Sequence, residues 1–593
     1  MSKKLGAVYT PEAYARILTN WAIRSNGNLV LDMGIGPGIF VYKAYERLVY
    51  LGASKHKAAS QIFGTEIDKS VFNQFTKKAD KLSLKFNNLE NKSFFNASFP
   101  EVDAIVGNPP YVRRRGMNTG TLKNIRSKTL KNNLLVSPSE LSNLSDLYIY
   151  FLLYSLPLLK PGGRLATIVA DSWLTNRYGI ALKKYLLNEF NLKQIITLDR
   201  SVFNDAQVKA VLILATKKKE TDLTQNPIRF ARIKNGLSIA KLNAFVFRSS
   251  PRSTKDIFIK NVKTEALNAE KAWGGILKST TEFEVVCRSK IVKPMFEIAD
   301  IKIGLEPLAK DFFVISSQEK KDGVVESKYL KPFASSVHDF ESTVIMETAE
   351  PLEYLFYCDQ PKKDLKETKA LRYIAKGERS VVGIRGTDKT VIGYHKKERI
   401  IKANRPYWYD VKTQSEGKAV AEILLPRFIY KEYFVLWNAA HYIPGGAIAQ
   451  FFPKETKSSE TIDLKIYLAI LTSSFTELAL RINAQIYGGG TANLRISAIK
   501  DAPMIDVSQL TSEQKTSLIN SYNHYLKNNK KSQINQTVYE ILGLTKQQSA
   551  AIDTQLIELR EIAESSTKAA HPEEDRKRKL IGRHTAKIIA QKR

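Results

Sequence analysis

The first 220 residues alternate short apolar segments with helix-like segments, and this alternation constrains the fold more than any other feature. The strand-like segments lie at 29–31, 61–64, 102–107, 164–169, 194–198 and 208–215. The segments between them, such as 39–50 and 147–159, have the character of helices, so successive strands need crossover connections. The sequence therefore predicts a doubly wound α/β fold with a mostly parallel sheet that is covered on both faces.

The regular alternation ends near residue 220, which predicts three segments. Residues 1–220 form the α/β domain, and 221–505 form an α+β domain with many Lys, Arg, Tyr and Phe residues. Residues 506–593 form a helical, basic C-terminal extension, in which Ser512 is the predicted N-cap of a helix. From Lys568 onward this extension contains nine Lys or Arg residues and three acidic ones.

The charge of the chain indicates a polyanionic partner. Lys and Arg number 91 and Asp and Glu number 59, which leaves a formal net charge of +32. A field of this sign attracts nucleic acid and accelerates association with it, but it does not separate DNA from RNA.

Cysteine usage and hydropathy limit the cellular context. Cys287 and Cys358 are too few for a disulfide framework or a cysteine zinc site. The polar start of the chain is not typical of a secretory signal, and no run of eighteen apolar residues predicts a membrane span. We therefore expect a cytoplasmic protein with no membrane partner.

The segment Asn108-Pro109-Pro110-Tyr111 directly follows the predicted strand 102–107. Two prolines restrict the backbone, so that the Asn amide oxygen and a proline carbonyl can point in one direction. Together these two acceptors match the two hydrogens of an exocyclic amine, and Tyr111 can stack on the face of a base. The simpler alternative is a proline-rich turn.

A second motif follows the first predicted strand. In the segment Asp32–Gly38, the glycines Gly34 and Gly36 allow a ligand to approach the backbone closely at the carboxyl end of a strand. Glu66 ends the next strand and Asp68 follows two residues later, where carboxylates can accept hydrogen bonds from ribose hydroxyls. The alternative for either acid is an ordinary exposed residue at a strand end.

The order of these motifs resembles the gamma-class N6-adenine DNA methyltransferases, the TaqI-like family of restriction–modification and phage-defence systems. The resemblance covers about residues 5–216. Thr10 and Pro11 resemble the family's opening motif, which lies over the cofactor, and residues 146–148 and 159–163 follow its layout. Phe203 resembles the Phe that packs on the flipped adenine opposite Tyr111.

One position departs from the family pattern. The family has an acidic residue just before a Phe, where it binds the adenine amine of the cofactor. Here the matching stretch is Asn96-Ala97-Ser98-Phe99, so Ser98 and Phe99 are kept as uncharged cofactor contacts.

The resemblance implies a class I S-adenosylmethionine-dependent methyltransferase fold for 1–220 and a DNA target-recognition domain for 221–505. It implies methyl transfer from S-adenosylmethionine to N6 of a flipped adenine. The implied catalytic residues are Asn108, Pro109, Pro110, Tyr111 and Phe203. The implied cofactor-binding residues are Thr10, Pro11, Asp32, Gly34, Gly36, Glu66, Asp68, Ser98 and Phe99.

The reaction requires no metal and no general base, because the sulfonium is already an activated electrophile. The seven histidines show no ligand spacing, and no constellation typical of a nuclease is found. We therefore assign no metal site.

Next to the catalytic motif, Arg113, Arg114 and Arg115 are predicted to bind DNA phosphates around an extruded base. The expected partners are double-stranded DNA and restriction or defence-complex subunits. Two alternatives stay open: methylation of RNA or of a protein glutamine, and a DNA-recognition subunit with weak intrinsic activity in a larger complex. A solvated basic loop is the alternative for the arginines.

Overall fold

The computed structural model describes residues 9–112, 114–198, 209–222, 227–234, 237–248, 253–254, 256–340, 342–345, 350–383, 390–415, 419–430, 432–454, 463–486 and 491–570. The chain forms two compact units, Met1–Lys278 and Ser279–Arg593.

The first unit contains one large sheet and its helices. Its strands are β1 (Val30–Asp32), β2 (Ile62–Thr65), β3 (Leu89–Glu90), β4 (Val102–Gly107), β5 (Leu159–Ala170), β6 (Phe190–Leu198), β7 (Ala210–Lys217), β8 (Ile228–Ile233) and β9 (Ile257–Val262). Its helices are α1 (Glu12–Ala22), α2 (Ile39–Tyr50), α3 (Lys55–Ser60), α4 (Lys69–Lys81), α5 (Thr119–Asn132), α6 (Leu147–Ser155), α7 (Ile180–Glu189) and α8 (Ile239–Phe247).

The nine strands pair in the order β3-β2-β1-β4-β5-β7-β6-β8-β9. The five strands β3, β2, β1, β4 and β5 run parallel to one another, whereas β7 is antiparallel to both β5 and β6. Asp32 pairs with Val106 in register, so the carboxyl ends of β1 and β4 lie side by side. The predicted α/β fold class is confirmed.

Helices cover both faces of this sheet because successive strand residues point to opposite sides. Val30 and Val106 are buried in one cluster with residues of α1 and α2, such as Leu18. Leu31 and Ile105 are buried in a second cluster with residues of α6 and α7. The two clusters cover the faces of the sheet, so the loops that follow the strands lie at its carboxyl edge.

The structure corrects the predicted helix 147–159. The helix α6 ends at Ser155, a short 3₁₀ turn covers Leu156–Leu158, and β5 begins at Leu159. The segment 160–163 lies within β5, where the pairing with β4 shifts register. Gly162 has a φ of +81°, which allows this irregularity because glycine has no Cβ to clash.

The large sheet continues beyond residue 220. Strand β8 pairs in parallel with β6, and β9 pairs antiparallel with β8, so the segments that looked irregular in the sequence add two strands to this side of the sheet, with β9 at its edge. The first compact unit consequently ends at Lys278. The boundaries at 220 and 505 stay a prediction about functional domains.

The second unit mixes small sheets with a helical region. Its strands are β10 (Val292–Pro294), β11 (Ala299–Ile303), β12 (Val314–Ser316), β13 (Leu330–Ala334), β14 (Glu353–Phe356), β15 (Val381–Gly383), β16 (Thr390–Ile392), β17 (Ile423–Pro426), β18 (Phe428–Ile429), β19 (Leu436–Trp437), β20 (Ile443–Pro444), β21 (Ile448–Pro453), β22 (Gln485–Ile486), β23 (Ala492–Asn493) and β24 (Pro503–Ile505).

The helices of this unit are α9 (Thr281–Cys287), α10 (Met295–Ile298), α11 (Lys310–Phe313), α12 (Ser317–Lys321), α13 (Lys369–Arg379), α14 (Glu398–Ala403), α15 (Lys412–Ser415), α16 (Leu464–Thr472), α17 (Ser474–Asn483), α18 (Ile496–Lys500), α19 (Ser512–Asn528), α20 (Ser532–Ile541) and α21 (Lys546–Ala570). In the described part of the chain, no helix combines the length and the apolar character needed to cross a membrane.

The predicted N-cap Ser512 is wrong by one residue. Thr511 caps α19: its side-chain oxygen accepts a hydrogen bond from Gln514 N at 3.2 Å, and Gln514 Oε1 accepts one from Thr511 N at 3.0 Å. This reciprocal pair satisfies two backbone donors, which a cap at Ser512 with Lys515 three residues later could not do.

Candidate active site

The Gly-rich turn lies at the carboxyl end of β1 and encloses the side chain of Asp32. Gly34 N donates a hydrogen bond to Asp32 Oδ1 at 3.1 Å. Gly36 has a φ of +52°, and a Cβ at this position would lie 3.9 Å from the ring of Tyr9. The segment before α1 therefore reaches the Gly-rich turn.

Asp32 is fully buried, and its Oδ2 atom accepts no hydrogen bond from the residues that the structure describes. Burial raises the pKa of this carboxyl to about 8; the Gly34 N–H opposes that shift, and the charge of Glu66 adds to it. A desolvated carboxylate with an unmatched oxygen is stabilised by a cation or a hydrogen-bond donor. This position fits a positively charged ligand.

Gly107, the last residue of β4, packs directly against Asp32. Its φ is +135°, and a Cβ there would lie 2.8 Å from Asp32 Oδ1. A side chain at this position would displace the carboxyl group, so glycine is required for β4 to approach β1 here. The close approach places the loop after β4 next to the Gly-rich turn.

Glu66, at the end of β2, holds the Gly-rich turn through its carboxylate. Its Oε2 accepts a hydrogen bond from Gly36 N at 3.0 Å, and its Oε1 accepts one from Asp68 N at 2.8 Å. Each carboxylate oxygen has a second lone pair, so Glu66 keeps acceptor capacity for ligand hydroxyls.

Asp68 has a role that the sequence analysis missed: it is the N-cap of α4. Its Oδ1 accepts hydrogen bonds from the backbone N–H groups of Ser70 and Val71 at 2.9 and 3.4 Å. The Ser70 hydroxyl also donates to Asp68 Oδ1 at 2.6 Å, and this bond, together with the two backbone bonds, lowers the pKa of Asp68. Asp at the first position before a helix was a recognisable capping signal in the sequence.

Asn108 lies in the loop that directly follows β4. Its Nδ2 donates a hydrogen bond to Thr10 Oγ1 at 3.0 Å. Thr10 is buried, and Pro11 occupies the N-cap position of α1. The structure thus brings the opening Thr-Pro motif and the Asn-Pro-Pro-Tyr motif together. Because Nδ2 faces Thr10, the amide oxygen points away from it.

Tyr111 is half-buried and anchored to the neighbouring strand. Its hydroxyl donates a hydrogen bond to the carbonyl of Ile168 in β5 at 3.3 Å, and its ring meets the edge of Tyr148 with the centroids 6.1 Å apart. Burial raises the pKa of Tyr111 well above its ordinary value, so the phenol stays neutral. Pro109 is buried and Pro110 is half-buried in the same loop.

A group of hydrogen-bonded side chains next to Tyr148, whose ring contacts Tyr111, supports the loop that follows β4. The Tyr178 hydroxyl lies 2.8 Å from Asp146 Oδ2 and 2.7 Å from Ser172 Oγ, and the Tyr148 hydroxyl lies 3.0 Å from Ser172 Oγ. Asp146 Oδ1 accepts a hydrogen bond from the backbone N–H of Arg114 at 3.2 Å. The sequence analysis placed residues 146–148 in the family layout but gave no signal for Ser172 or Tyr178.

Ser98 and Phe99 lie in the stretch before β4. Ser98 is exposed, and the ring of Phe99 packs against Phe94 at 5.1 Å between centroids. Phe94 in turn stacks on Phe151 of α6 at 4.9 Å. Phe99 thus contributes to an aromatic cluster on one face of the sheet.

Among the predicted DNA-binding arginines, the structure describes the side chain of Arg114. Its Nε donates to the carbonyl of Asn143 at 3.0 Å, and its Nη1 donates to that of Met117 at 3.3 Å. Arg114 therefore braces the loop as well as carrying charge. Arg115 lies in the 3₁₀ turn Arg114–Gly116, whereas Arg113 and Phe203 lie outside the described residues. Within the described ranges, no cluster of three or more His, Cys, Asp or Glu residues could hold a metal ion.

The sheet order, with β7 antiparallel between β5 and β6, and the Gly-rich turn after β1 define the class I fold of S-adenosylmethionine-dependent methyltransferases. Both motifs predicted from the sequence lie at the carboxyl ends of its central strands.

Comparisons with known proteins show which methyltransferases the chain is similar to. Residues 28–203 match the family described as Eco57I restriction-modification methylase. The chain is 24% identical over 537 residues to Type II methyltransferase M.AccI from Acinetobacter calcoaceticus, covering 88% of this chain and 89% of the relative. It is 22% identical over 561 residues to Type II methyltransferase M.BstVI from Geobacillus stearothermophilus, covering 87% and 92%.

Among solved structures, the Type IIL restriction-modification enzyme MmeI in complex with DNA superimposes with a TM-score of 0.50 at 12% sequence identity. That match covers 95% of this chain and 72% of the other. The predicted resemblance to methyltransferases of restriction–modification systems is confirmed.

Proposed function

We propose that the protein transfers a methyl group from S-adenosylmethionine to N6 of an adenine flipped out of duplex DNA, as part of a restriction–modification or phage-defence system. One observation carries the proposal. Asn108 follows the end of β4, and its amide is held by a hydrogen bond to Thr10. The adjacent strand β1 ends in the buried carboxyl group of Asp32. An acceptor for a substrate amine and a buried carboxyl group that a cationic cofactor would ionise are thereby neighbours.

S-Adenosylmethionine supplies an electrophilic methyl group on a sulfonium centre. Asp32 provides a buried carboxyl group that a cationic ligand would stabilise in its ionised form, and Gly34 and Gly36 allow close approach to the backbone. Glu66 and Asp68 are the proposed acceptors for ribose hydroxyls. Thr10 and Pro11 cover the site, and Ser98 and Phe99 stay predicted as uncharged contacts to the cofactor's adenine.

Asn108 Oδ1 and the Pro109 carbonyl oxygen accept the two hydrogens of the target N6 amine. These bonds draw the nitrogen toward tetrahedral geometry, which localises its lone pair for attack on the methyl carbon. The N6–C bond forms as the S–C bond breaks, its electron pair stays on sulfur, and N6 then loses one proton to solvent. Pro110 stiffens the loop, and Tyr111 and Phe203 hold the two faces of the base.

Positioning supplies most of the rate enhancement in such a reaction, since the electrophile is already activated. Thr10 contributes by fixing the Asn108 amide, and the hydrogen bond between Tyr111 and Ile168 fixes the ring that meets the base. Extruding the base costs a few kcal/mol, which contacts of the protein with DNA must offset.

Two observations support DNA as the substrate. The net charge of +32 favours a nucleic acid, and the choice of DNA rests on the relatives with long matches, which are named Type II methyltransferases, and on the MmeI enzyme, whose structure contains DNA. We assign target recognition to residues 221–505 and phosphate contacts to Arg113, Arg114 and Arg115. A restriction enzyme or another defence subunit is the proposed protein partner.

The test is transfer of labelled methyl groups from S-adenosylmethionine to unmethylated genomic DNA, followed by nucleoside analysis of the product. Wild-type protein should form N6-methyladenine, whereas Asn108→Ala should abolish transfer and still bind the cofactor. Activity retained by Asn108→Ala would contradict the assignment. Absence of transfer to DNA by wild type, with the cofactor bound, would favour RNA, a protein amide or a required partner subunit.

A further inference from the structure

The connection between the catalytic loop and α6 carries exposed leucines at two separate places. Leu144 is 70% exposed and Leu134 is 87% exposed. An exposed leucine forgoes the free energy that its burial would contribute, so a leucine on a rigid surface next to a substrate site is a candidate contact residue.

The two leucines lie at opposite ends of α6. Strand β5 is parallel to β4, so α6 must run from the carboxyl edge of the sheet back to the opposite edge. Leu144 precedes the first turn of α6 and therefore lies near the edge that carries Asn108. Leu134 lies near the other end, because the side chains of Asn132 and Asn133 donate to the carbonyls at the last turn of α6 at 2.6 and 2.8 Å.

The turn that presents Leu144 is fixed by hydrogen bonds. Leu144 N donates to Ser142 Oγ at 3.1 Å, and the carbonyl of Ser142 accepts from Ser145 N and from the Tyr150 hydroxyl, both at 3.1 Å. Arg114, three residues after Tyr111, donates to the carbonyl of Asn143 at 3.0 Å. The polar atoms of the turn thus bind the protein while the apolar side chain of Leu144 faces outward.

We infer that Leu144 inserts into the DNA base stack beside the extruded adenine. Flipping a base removes its stacking partners and leaves a gap, and apolar wedges such as leucine can fill such a gap in the duplex. The fixed turn presents Leu144 without a further ordering cost on binding, and Arg114 couples its position to the loop that holds the target base. This inference rests on the proposed function.

The test compares wild type, Leu144→Ala and the matched control Leu134→Ala on a short duplex that contains the mapped methylation site. On the fully paired duplex, Leu144→Ala should lower kcat/KM by about ten- to hundredfold, the range expected for losing a buried leucine contact. On a duplex mismatched at the target adenine it should approach wild type, because a mismatched base is already easier to extrude. Leu134→Ala should match wild type on both, and Leu144→Met should retain most activity.

A second readout is independent of catalysis: 2-aminopurine at the target position should brighten on binding wild type and brighten less with Leu144→Ala. Equal losses on paired and mismatched duplexes, or an equal loss in Leu134→Ala, would overturn the inference. Wild-type kinetics retained by Leu144→Ala on the paired duplex would overturn it and leave the proposed function intact. A wild-type protein that forms no N6-methyladenine would instead contradict the proposed function.

Discussion

Among the described residues, each unit of the molecule has one carboxyl side chain that is completely buried, and the two carboxyl groups have opposite surroundings. Asp32 and Glu477 are both 0% exposed. Asp32 Oδ1 accepts one backbone N–H, whereas Glu477 Oε1 accepts hydrogen bonds from Arg481 Nε at 2.8 Å and Arg560 Nε at 2.9 Å. Lys531 Nζ lies 4.0 Å from Glu477 Oε2.

Their ionisation differs accordingly. Burial raises the pKa of Asp32 to about 8. Burial acts in the same direction on Glu477, but the Arg560 hydrogen bond and the charges of Arg481 and Lys531 outweigh it and hold its pKa below the ordinary value. The paired carboxylate of Glu477 stays charged and connects the helices around it. The carboxyl group of Asp32 lies at a strand end without such cations and is suited to a ligand.

The largest expected effect is on the free energy of unfolding, when the buried ion pairs of Glu477 are broken. Glu477→Gln removes the carboxylate that Arg481, Lys531 and Arg560 share, and losing one partner of a buried ion pair costs about 3–5 kcal/mol. Denaturant unfolding should show a loss of that size for the second unit. The exposed Glu513 of α19, changed to Gln, should stay within about 1 kcal/mol of wild type. Equal stabilities of the two variants would contradict the structural role of Glu477.

Removing the Asp32 carboxyl should have the opposite effect: without cofactor, it should stabilise the protein at higher pH. Because the pKa of Asp32 is raised in the folded state, the folded protein keeps a proton that the unfolded chain has lost between about pH 4 and about pH 8. The stability of wild type should therefore fall relative to Asp32→Asn as pH rises through that window, by at most about 1.4 kcal/mol per pH unit. Parallel unfolding curves of the two proteins across this range would contradict an open Asp32.

A smaller effect, on kcat, is expected from removing the hydrogen bond between Thr10 and Asn108 at the end of β4. Thr10→Val removes the hydrogen bond that orients Asn108, and losing a single neutral hydrogen bond should lower kcat by about three- to tenfold. Thr10→Ser keeps the hydroxyl and should restore kcat. Steady-state methylation assays would measure both; an unchanged kcat in Thr10→Val would show that Asn108 is oriented by other contacts.

The sequence predicts the sheet and the positions of the motifs better than it predicts individual side-chain contacts. The alternation of strands and helices predicted the sheet, and the sequence placed one motif directly after β1 and another directly after β4. Asp32 and the Asn108 loop meet in the structure because these parallel strands end at the same edge. The pairing of Thr10 with Asn108, 98 residues apart, was accessible through the family resemblance alone.

Other features depend on packing that no local pattern encodes. Glu477 finds Arg560 across 83 residues, and neither side chain differs in sequence from an ordinary exposed one. Strands β8 and β9 follow irregular segments, so the extension of the sheet past residue 220 was not predicted. Local signals were also overlooked, as with the capping residues Asp68 and Thr511, whose spacing to the helix start was visible in the sequence.

The most direct test of the account is a calorimetric titration of S-adenosylmethionine into wild type, Asp32→Asn and Asn108→Ala. The central claim is that the end of β1 binds the cofactor and the end of β4 binds the target amine. Asp32→Asn should therefore weaken binding by about ten- to hundredfold, the range for losing a hydrogen bond to a charged group, while Asn108→Ala binds as wild type does. Wild-type affinity in Asp32→Asn, or an equal loss in Asn108→Ala, would contradict that division.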